Sequence, residues 1–283
     1  MPFPPARSVA GTIVRVVAFV LAFFVCAMLA GLLLGPVLTW LVARTGQRIR
    51  IDYYLELAAA LAATGVMLRV VDERDWRAVD MARDAARPRT LLAGWLLGGG
   101  AIVLTSGILL ATGWLRFVPA DAFSSWAGGA TRVTIVLLPA ALAEEVLCRG
   151  YLLSVLRERG GTTAAVLITS TAFAILHVWN PGATVESVLV VLLAGIFLAA
   201  VRLAFASLYA AWMAHFAWNW VMAVPLHAVV SGTRFEAPGY RAVTAGPDWL
   251  SGGVWGPEGG VVAAFGFTAA LGFLYTRRRR EES

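Results

Sequence analysis

The sequence predicts an all-α fold, a polytopic membrane helical bundle of about eight transmembrane helices. Hydrophobic residues make up 59% of the 283 residues, charged residues make up only 14%, and long apolar segments recur along the chain. A soluble domain has roughly 25% charged residues, so this composition is typical of a membrane protein. Because only helices and closed barrels satisfy the backbone in lipid, apolar segments of this length indicate helices.

Eight segments are apolar enough and close to the ~20 residues needed to cross a bilayer. In chain order they cover about residues 14–42, 52–71, 91–112, 131–156, 163–180, 184–204, 207–230 and 259–276. The first is longer than the ~7–15-residue apolar region of a signal peptide, so we expect a retained helix. We expect residues 1–283 to form a single integral membrane domain.

Two connecting segments are expected outside the bilayer. Residues 72–89 mix both charge signs and predict a solvated, helical loop. Residues 231–260 are rich in glycine, proline and aromatic residues, which indicates an extramembrane loop. For this second loop a plain linker is favoured over a cover for a site.

Arginine accounts for the whole basic excess, since the net charge of +6 includes no lysine. With eight spans, residues 72–89, the turn at Arg157 and the four arginines near the C-terminus fall on one side. The positive-inside rule makes that side cytoplasmic, with both termini inside. Arg44, Arg48 and Arg50 lie on the opposite side, against the rule. Arginines that flank apolar spans give no reason to expect a nucleic-acid partner.

Three predicted spans contain polar residues that are costly in a bilayer. They are Glu144, Glu145 and Arg149 in the fourth span, His177 at the end of the fifth, and His215 and Asn219 in the seventh. An ionisable group at the bilayer centre costs at least about 2.5 kcal/mol, so such groups indicate a function by default.

The spacing of the three charges in the fourth span divides them unequally. Glu145 precedes Arg149 by four residues, which allows an ion pair along one helix face. We interpret this pair as structural rather than catalytic. Glu144 lies about 100° around the helix and has no compensating charge in its own span.

The histidines also have neighbours four residues away. Phe173 can pack beside His177, and His215 shares a helix face with Asn219. One membrane histidine or asparagine is as often an interhelical hydrogen bond as a functional group. Two histidines, an amide and the uncompensated Glu144 on three separate spans favour a functional site.

Two kinds of chemistry fit this set. Glu144 beside a neutral imidazole can take a proton from water, while a second histidine and an amide stabilise an oxyanion. Alternatively, Glu144, His177 and His215 match the residue types of a catalytic Zn2+ site, although no HExxH motif is present. Both versions predict amide hydrolysis.

The motifs that contain these residues resemble one known family. Glu144–Arg149 (EEVLCR) fits EExxxR, Phe173–His177 (FAILH) fits FxxxH, and His215–Asn219 (HFAWN) fits HxxxN. In this order they resemble the CPBP (Abi) family of CAAX prenyl proteases and bacteriocin-processing proteins. The resemblance covers about residues 139–224, and we expect the catalytic core spans within 131–230.

The resemblance implies a role for each residue. It implies that Glu144 activates the hydrolytic water with His177, and that His215 and Asn219 stabilise the oxyanion. Glu145 and Arg149 would orient the site and neutralise each other's charge. The family has been described both as metalloproteases and as glutamate-dependent enzymes, so a Zn2+ cofactor stays open.

We therefore expect an intramembrane endopeptidase that cleaves a membrane-associated peptide or protein, lipidated or not, in a bacterial cell membrane. One alternative is a catalytically silent immunity or scaffold member of the family. A proton-coupled transporter is another, because buried carboxylates and histidines also relay protons. No pair of glycine- or proline-broken helices in matching halves of the sequence supports the transporter.

Overall fold

The computed structural model describes residues 8–45, 50–122, 125–235 and 238–282. Arg48 of the first predicted loop and residues 236–237 of the last one lie outside the described residues. The described chain is mostly helical, which confirms the helical bundle. The helices are α1 Val9–Thr45, α2 Ile51–Val66, α3 Pro88–Ala111, α4 Trp126–Glu145, α5 Leu152–Leu176, α6 Val185–Phe205, α7 Leu208–Ala223, the single turn α8 Asp248–Ser251, and α9 Val261–Glu282.

Fewer helices meet the length and hydropathy expected of a membrane span than the eight that the sequence pattern predicts. Each of the eight predicted segments overlaps a helix, but among the described residues four helical segments are long and apolar enough to cross a membrane. They are Val9–Leu33, Ile51–Val71, Pro88–Ala111 and Val185–Phe205. The count of eight is therefore not confirmed. The seventh segment is shorter than predicted, because α7 ends at Ala223 rather than near residue 230.

A two-stranded sheet departs from the expected all-α fold. Strand β1 (Leu115–Ala122) pairs antiparallel with β2 (Pro238–Thr244), with Leu115 opposite Thr244 and an irregularity after Pro119. The two strands are more than 100 residues apart in sequence, so neither segment alone predicts the pairing. Strand β1 lies between α3 and α4, and β2 lies between α7 and α8. The sequence pattern predicts both segments only as loops.

The predicted loop at residues 72–89 is folded onto the bundle. It forms two short 3-10 turns, Trp76–Val79 and Arg83–Ala85, instead of a continuous helix. Asp80 adopts a left-handed conformation between them, with φ 56°. Its carbonyl accepts a hydrogen bond from Leu208 N at 3.0 Å, which joins this loop to the start of α7.

Several charged segments meet at one end of the bundle. Arg15 of α1 donates to Asp72 at 2.7 Å, and Arg74 of the 72–89 loop pairs with Glu158 of α5. Arg277 of α9 lies 4.8 Å from the ring centre of Phe205 at the end of α6. We call this end the arginine end, and we call the opposite end, with the sheet and residues 224–260, the loop end.

Helix α7 is held against α3 by very close backbone contact. A Cβ atom on Gly94 would lie 2.2 Å from the Ala210 carbonyl oxygen, and one on Gly98 would lie 1.9 Å from that of Ala214. Small residues four apart on both helices allow this approach, as in other membrane helix pairs. The contact fixes the position of α7, which carries His215.

Candidate active site

The fourth span changes its helical geometry where its charged residues lie. Helix α4 ends at Glu145 and continues as a π-helical turn, Val146–Tyr151, before α5 begins. Gly150 leaves helical geometry there, with φ −77° and ψ −113°. Single π turns within helices are frequent at functional sites.

The buried side chain of Arg202 holds this π turn in place. From α6 it donates to the Gly150 carbonyl at 3.1 Å and to Ser154 Oγ at 2.8 Å. It also donates to the Asp80 carboxylate at 3.1 Å. The sequence pattern did not single out Arg202, because it looked like one more arginine at a helix end.

Glu145 connects two helices rather than only neutralising Arg149. Arg149 Nη1 donates to Glu145 Oε1 at 3.0 Å, and both side chains are 0% exposed. His215 Nδ1 donates to the same oxygen at 2.9 Å. The guanidinium of Arg149 also lies 4.0 Å from the ring centre of Phe173. The ion pair predicted from the spacing is present, but the contact with His215 was not foreseen.

Glu144 lies between the two histidines. Its Oε2 atom is 3.8 Å from His177 Nε2 and 3.8 Å from His215 Nε2. That oxygen has no hydrogen-bond partner among the described residues, although the side chain is 28% exposed. The structure therefore brings together side chains from α4, α7 and the end of α5.

The other ring nitrogens determine which tautomer each histidine adopts. His177 Nδ1 lies 2.8 Å from the Phe173 carbonyl oxygen, and His215 Nδ1 contacts the Glu145 carboxylate. Both partners only accept hydrogen bonds, so each Nδ1 carries a proton. In a neutral ring Nε2 is then an acceptor that faces Glu144. A 3.8 Å gap is too long for a direct hydrogen bond, and a water that lies to one side of it can contact both atoms.

Asn219 lies one helical turn after His215, beside a small cavity. The cavity has a water-accessible volume of about 30 Å³ and is lined by both histidines, Phe173 and Asn219, among others. A water needs roughly 10–15 Å³ of such space, so this cavity can hold one or two. Phe173 contacts both imidazole rings, at centroid distances of 4.6 and 5.8 Å.

The loop at residues 231–260 contributes to this cavity, so the plain-linker interpretation was wrong. Ser231 and Glu258 both line it. Buried Glu258 accepts hydrogen bonds from Trp218 Nε1 at 2.6 Å, and from the backbone nitrogen and hydroxyl of Ser231 at 2.6 and 2.7 Å. The bond from Trp218 attaches the loop to α7 next to Asn219, and the bonds from Ser231 join the two ends of the loop.

A second carboxylate, Glu56 of α2, was also missed. Its charge interacts with that of Glu144, and α2 packs against α4. The signal that could have found it is simple, because Glu56 is an acidic residue within a predicted span. For Glu258 the sequence offered no comparable signal, since it lies in a glycine-rich loop.

A catalytic zinc ion requires several ligand side chains at close and fixed distances. Among the described residues, no group of three or more His, Cys, Asp and Glu side chains is arranged to hold a metal. Ligand atoms at about 2.0–2.1 Å from a tetrahedral zinc lie roughly 3.3 Å apart. The 3.8 Å separations around Glu144 Oε2 are longer, so this arrangement does not fit zinc.

The fold and the site together define a helical integral membrane protein with an acid–base cluster inside its bundle. Residues 124–221 match the family model described as type II CAAX prenyl endopeptidase Rce1-like. This match confirms the predicted resemblance to the CAAX protease family, and the matched segment contains all three motifs. No curated protein and no solved structure matches the chain. At the coarse level, the resemblance is to a family of membrane-embedded peptidases.

Proposed function

We propose that the protein is an intramembrane endopeptidase, similar to CAAX proteases, that cleaves a membrane-associated peptide or protein. The observation that carries the proposal is the position of Glu144 Oε2, which lies 3.8 Å from the Nε2 atoms of both His177 and His215. The family match over residues 124–221 supports peptide hydrolysis.

In the proposed mechanism Glu144 is the general base. A water beside Glu144 Oε2 and His177 Nε2 donates one hydrogen bond to each of these atoms, which aims its lone pairs at the substrate. As the water oxygen bonds to the carbonyl carbon, Glu144 takes a proton. The carbon–nitrogen bond then breaks, and Glu144 returns that proton to the leaving amine.

His215 and Asn219 are the proposed oxyanion donors. His215 donates from Nε2 only when its ring carries a second proton. The negative charges of Glu145 beside Nδ1 and Glu144 beside Nε2 stabilise that positive charge. The side-chain amide of Asn219 lines the same small cavity as His215 and is the second proposed donor to the oxyanion.

Glu145, Arg149 and Phe173 are proposed to position the reacting groups. Glu145 orients the His215 ring, and Arg149 donates a hydrogen bond to the same buried carboxylate. Phe173 fixes His177 through its carbonyl and contacts both rings. A rigid arrangement of this kind lowers the reorganisation needed during reaction.

The proposal includes a location. We place the catalytic core at residues 131–230 and the protein in a bacterial cell membrane. The arginine end is proposed to be cytoplasmic with both termini, because the segments richest in arginine contact one another there. The convergence of the motif side chains supports an enzyme over a silent immunity or scaffold protein and over a proton-coupled transporter.

The proposal is tested with purified protein in liposomes and a library of lipidated and unlipidated peptides. Wild type should cleave at least one peptide, and His177→Ala and His215→Ala should each lose turnover while remaining folded. Each reaction is run with and without a chelator. Turnover that survives chelation supports the glutamate mechanism, and turnover that chelation abolishes and zinc restores contradicts it.

A further inference from the structure

A second and larger cavity lies at the loop end, outside the helices of the bundle. Its volume is about 570 Å³, and its walls come from the segment after α7, from β2 and from residues between Asp248 and Pro257. This volume lies within the roughly 300–1,000 Å³ range of ligand pockets. The mechanism proposed above does not use it.

The wall of this cavity contains a buried histidine, His227, whose ring packs edge-on against Tyr240. His227 is only 7% exposed, and neither ring nitrogen has a hydrogen-bond partner among the described residues. The Ala223 carbonyl approaches the ring, but outside hydrogen-bond geometry. Burial lowers the pKa of His227, so the ring is neutral near pH 7, with one donor and one acceptor nitrogen. An unpaired buried polar group is unfavourable, which indicates that something else pairs with it.

The lining also has an excess of positive charge. Arg234 and Arg241 both line the cavity with exposed side chains. Neither side chain forms a hydrogen bond or ion pair with the described part of the chain. Asp248 contributes an acidic group to the described lining, so the two guanidinium groups exceed it in charge. A guanidinium with no protein partner is suited to bind a carboxylate.

Residues close in sequence line the large cavity and the small cavity of the candidate active site. Ser231 and Glu258 line the small catalytic cavity, while Arg234 and Pro257 line the large one. Two short segments, residues 229–235 and 253–258, therefore contribute residues to both linings. A peptide bound in the small cavity and extended along these segments meets residues of the large one.

We propose that the large cavity is a substrate subsite that binds a carboxylate of an acidic peptide segment, next to the bond that is cleaved. Arg234 and Arg241 bind the carboxylate, and His227 donates one further hydrogen bond. The carboxylate belongs either to an acidic side chain or to the peptide C-terminus. This inference rests on the proposed peptidase function.

The test compares four versions of one cleavable peptide, with Glu or Gln at the acidic position and with a free or amidated C-terminus. Enzymes are wild type, the double variant Arg234→Gln/Arg241→Gln, and His227→Asn, whose asparagine tolerates the left-handed backbone at φ 47°. Arg116→Gln is the matched control, since Arg116 is an exposed arginine of β1 that does not line the cavity.

The double variant should raise KM about tenfold for the carboxylate peptides, with kcat within twofold and the neutral peptide unaffected. His227→Asn should raise KM in the same direction by a smaller factor, and Arg116→Gln should match wild type. Sensitivity to Glu→Gln assigns the side-chain carboxylate, and sensitivity to amidation assigns the C-terminus. Equal KM values for all four peptides with wild type overturn the proposal.

A binding measurement separates this inference from the proposed function. Fluorescently labelled acidic peptide is titrated onto detergent-solubilised wild type and the double variant. If wild type cleaves nothing but binds this peptide, and the double variant does not, the carboxylate site stands as a binding site and the peptidase proposal fails. If wild type cleaves peptides but the double variant binds the acidic peptide equally well, the subsite fails and the peptidase proposal stands.

Discussion

Glu145 and His215, which lie 70 residues apart in the chain, are joined by a 2.9 Å hydrogen bond between Glu145 Oε1 and His215 Nδ1. The same oxygen also receives Arg149. The i,i+4 ion pair in the fourth span is therefore part of a three-residue network that reaches the proposed catalytic histidine. This network connects the stability of the bundle with the chemistry proposed for it.

Arg149→Met should strongly destabilise the protein, because it leaves the buried Glu145 carboxylate without its cation. Breaking one partner of a buried pair typically costs about 3–5 kcal/mol, whereas replacing both is much less harmful. The double variant Glu145→Gln/Arg149→Met should therefore be more stable than Arg149→Met alone. Thermal unfolding in detergent measures both.

Activity should not follow stability in that pair of variants. The double variant removes the carboxylate that orients His215, so its turnover should stay low although its melting temperature recovers. A double variant as unstable as Arg149→Met would show that Glu145 does not depend on Arg149.

Gly98→Ala should reduce both stability and turnover. Its Cβ would lie 1.9 Å from the Ala214 carbonyl oxygen, so α7 must move away from α3. Overpacking of this kind typically costs about 1–3 kcal/mol, and the shift displaces His215 next to Ala214. Gly100→Ala is the matched control, because nothing lies within 4 Å of its added Cβ. Equal unfolding temperatures for the two variants would contradict the close helix contact.

Glu258→Gln should lower turnover by about tenfold or more, because it weakens the attachment of the 231–260 loop to α7. The carboxylate accepts three hydrogen bonds, two of them at Oε1 from Ser231. A glutamine amide has only one acceptor oxygen, so it cannot accept all three. Limited proteolysis of the loop and peptide turnover are measured together. Glu73→Gln, at an exposed position of the 72–89 loop, should leave both unchanged. Wild-type turnover in Glu258→Gln would show that the loop is a plain linker after all.

The features that depend on nearby residues were predictable from the sequence. Apolar segments about 20 residues long predict helices because composition alone decides them in lipid. The pairing of Glu145 with Arg149 follows from helix geometry, since both residues lie on one face. The family resemblance was equally local, because each motif spans only five or six residues.

The features that depend on distant contacts were not predictable. The β1–β2 pairing and the hydrogen bond between Glu145 and His215 join segments that only the folded bundle brings together. The hydrogen bonds of Glu258 likewise show no trace in the glycine-rich loop that carries it. The count of eight spans was not confirmed, because four of the described helical segments are both long and apolar enough to cross a membrane.

The central claim is that Glu144 removes a proton from the attacking water. Turnover of a cleavable peptide by purified protein in liposomes is measured for wild type, Glu144→Gln and the control Glu186→Gln, at an exposed carboxylate of α6. General-base catalysis typically contributes 10²–10⁴-fold, so Glu144→Gln should lose at least about a hundredfold in kcat while remaining folded. Glu186→Gln should match wild type, and a Glu144→Gln protein with wild-type kcat would contradict the account.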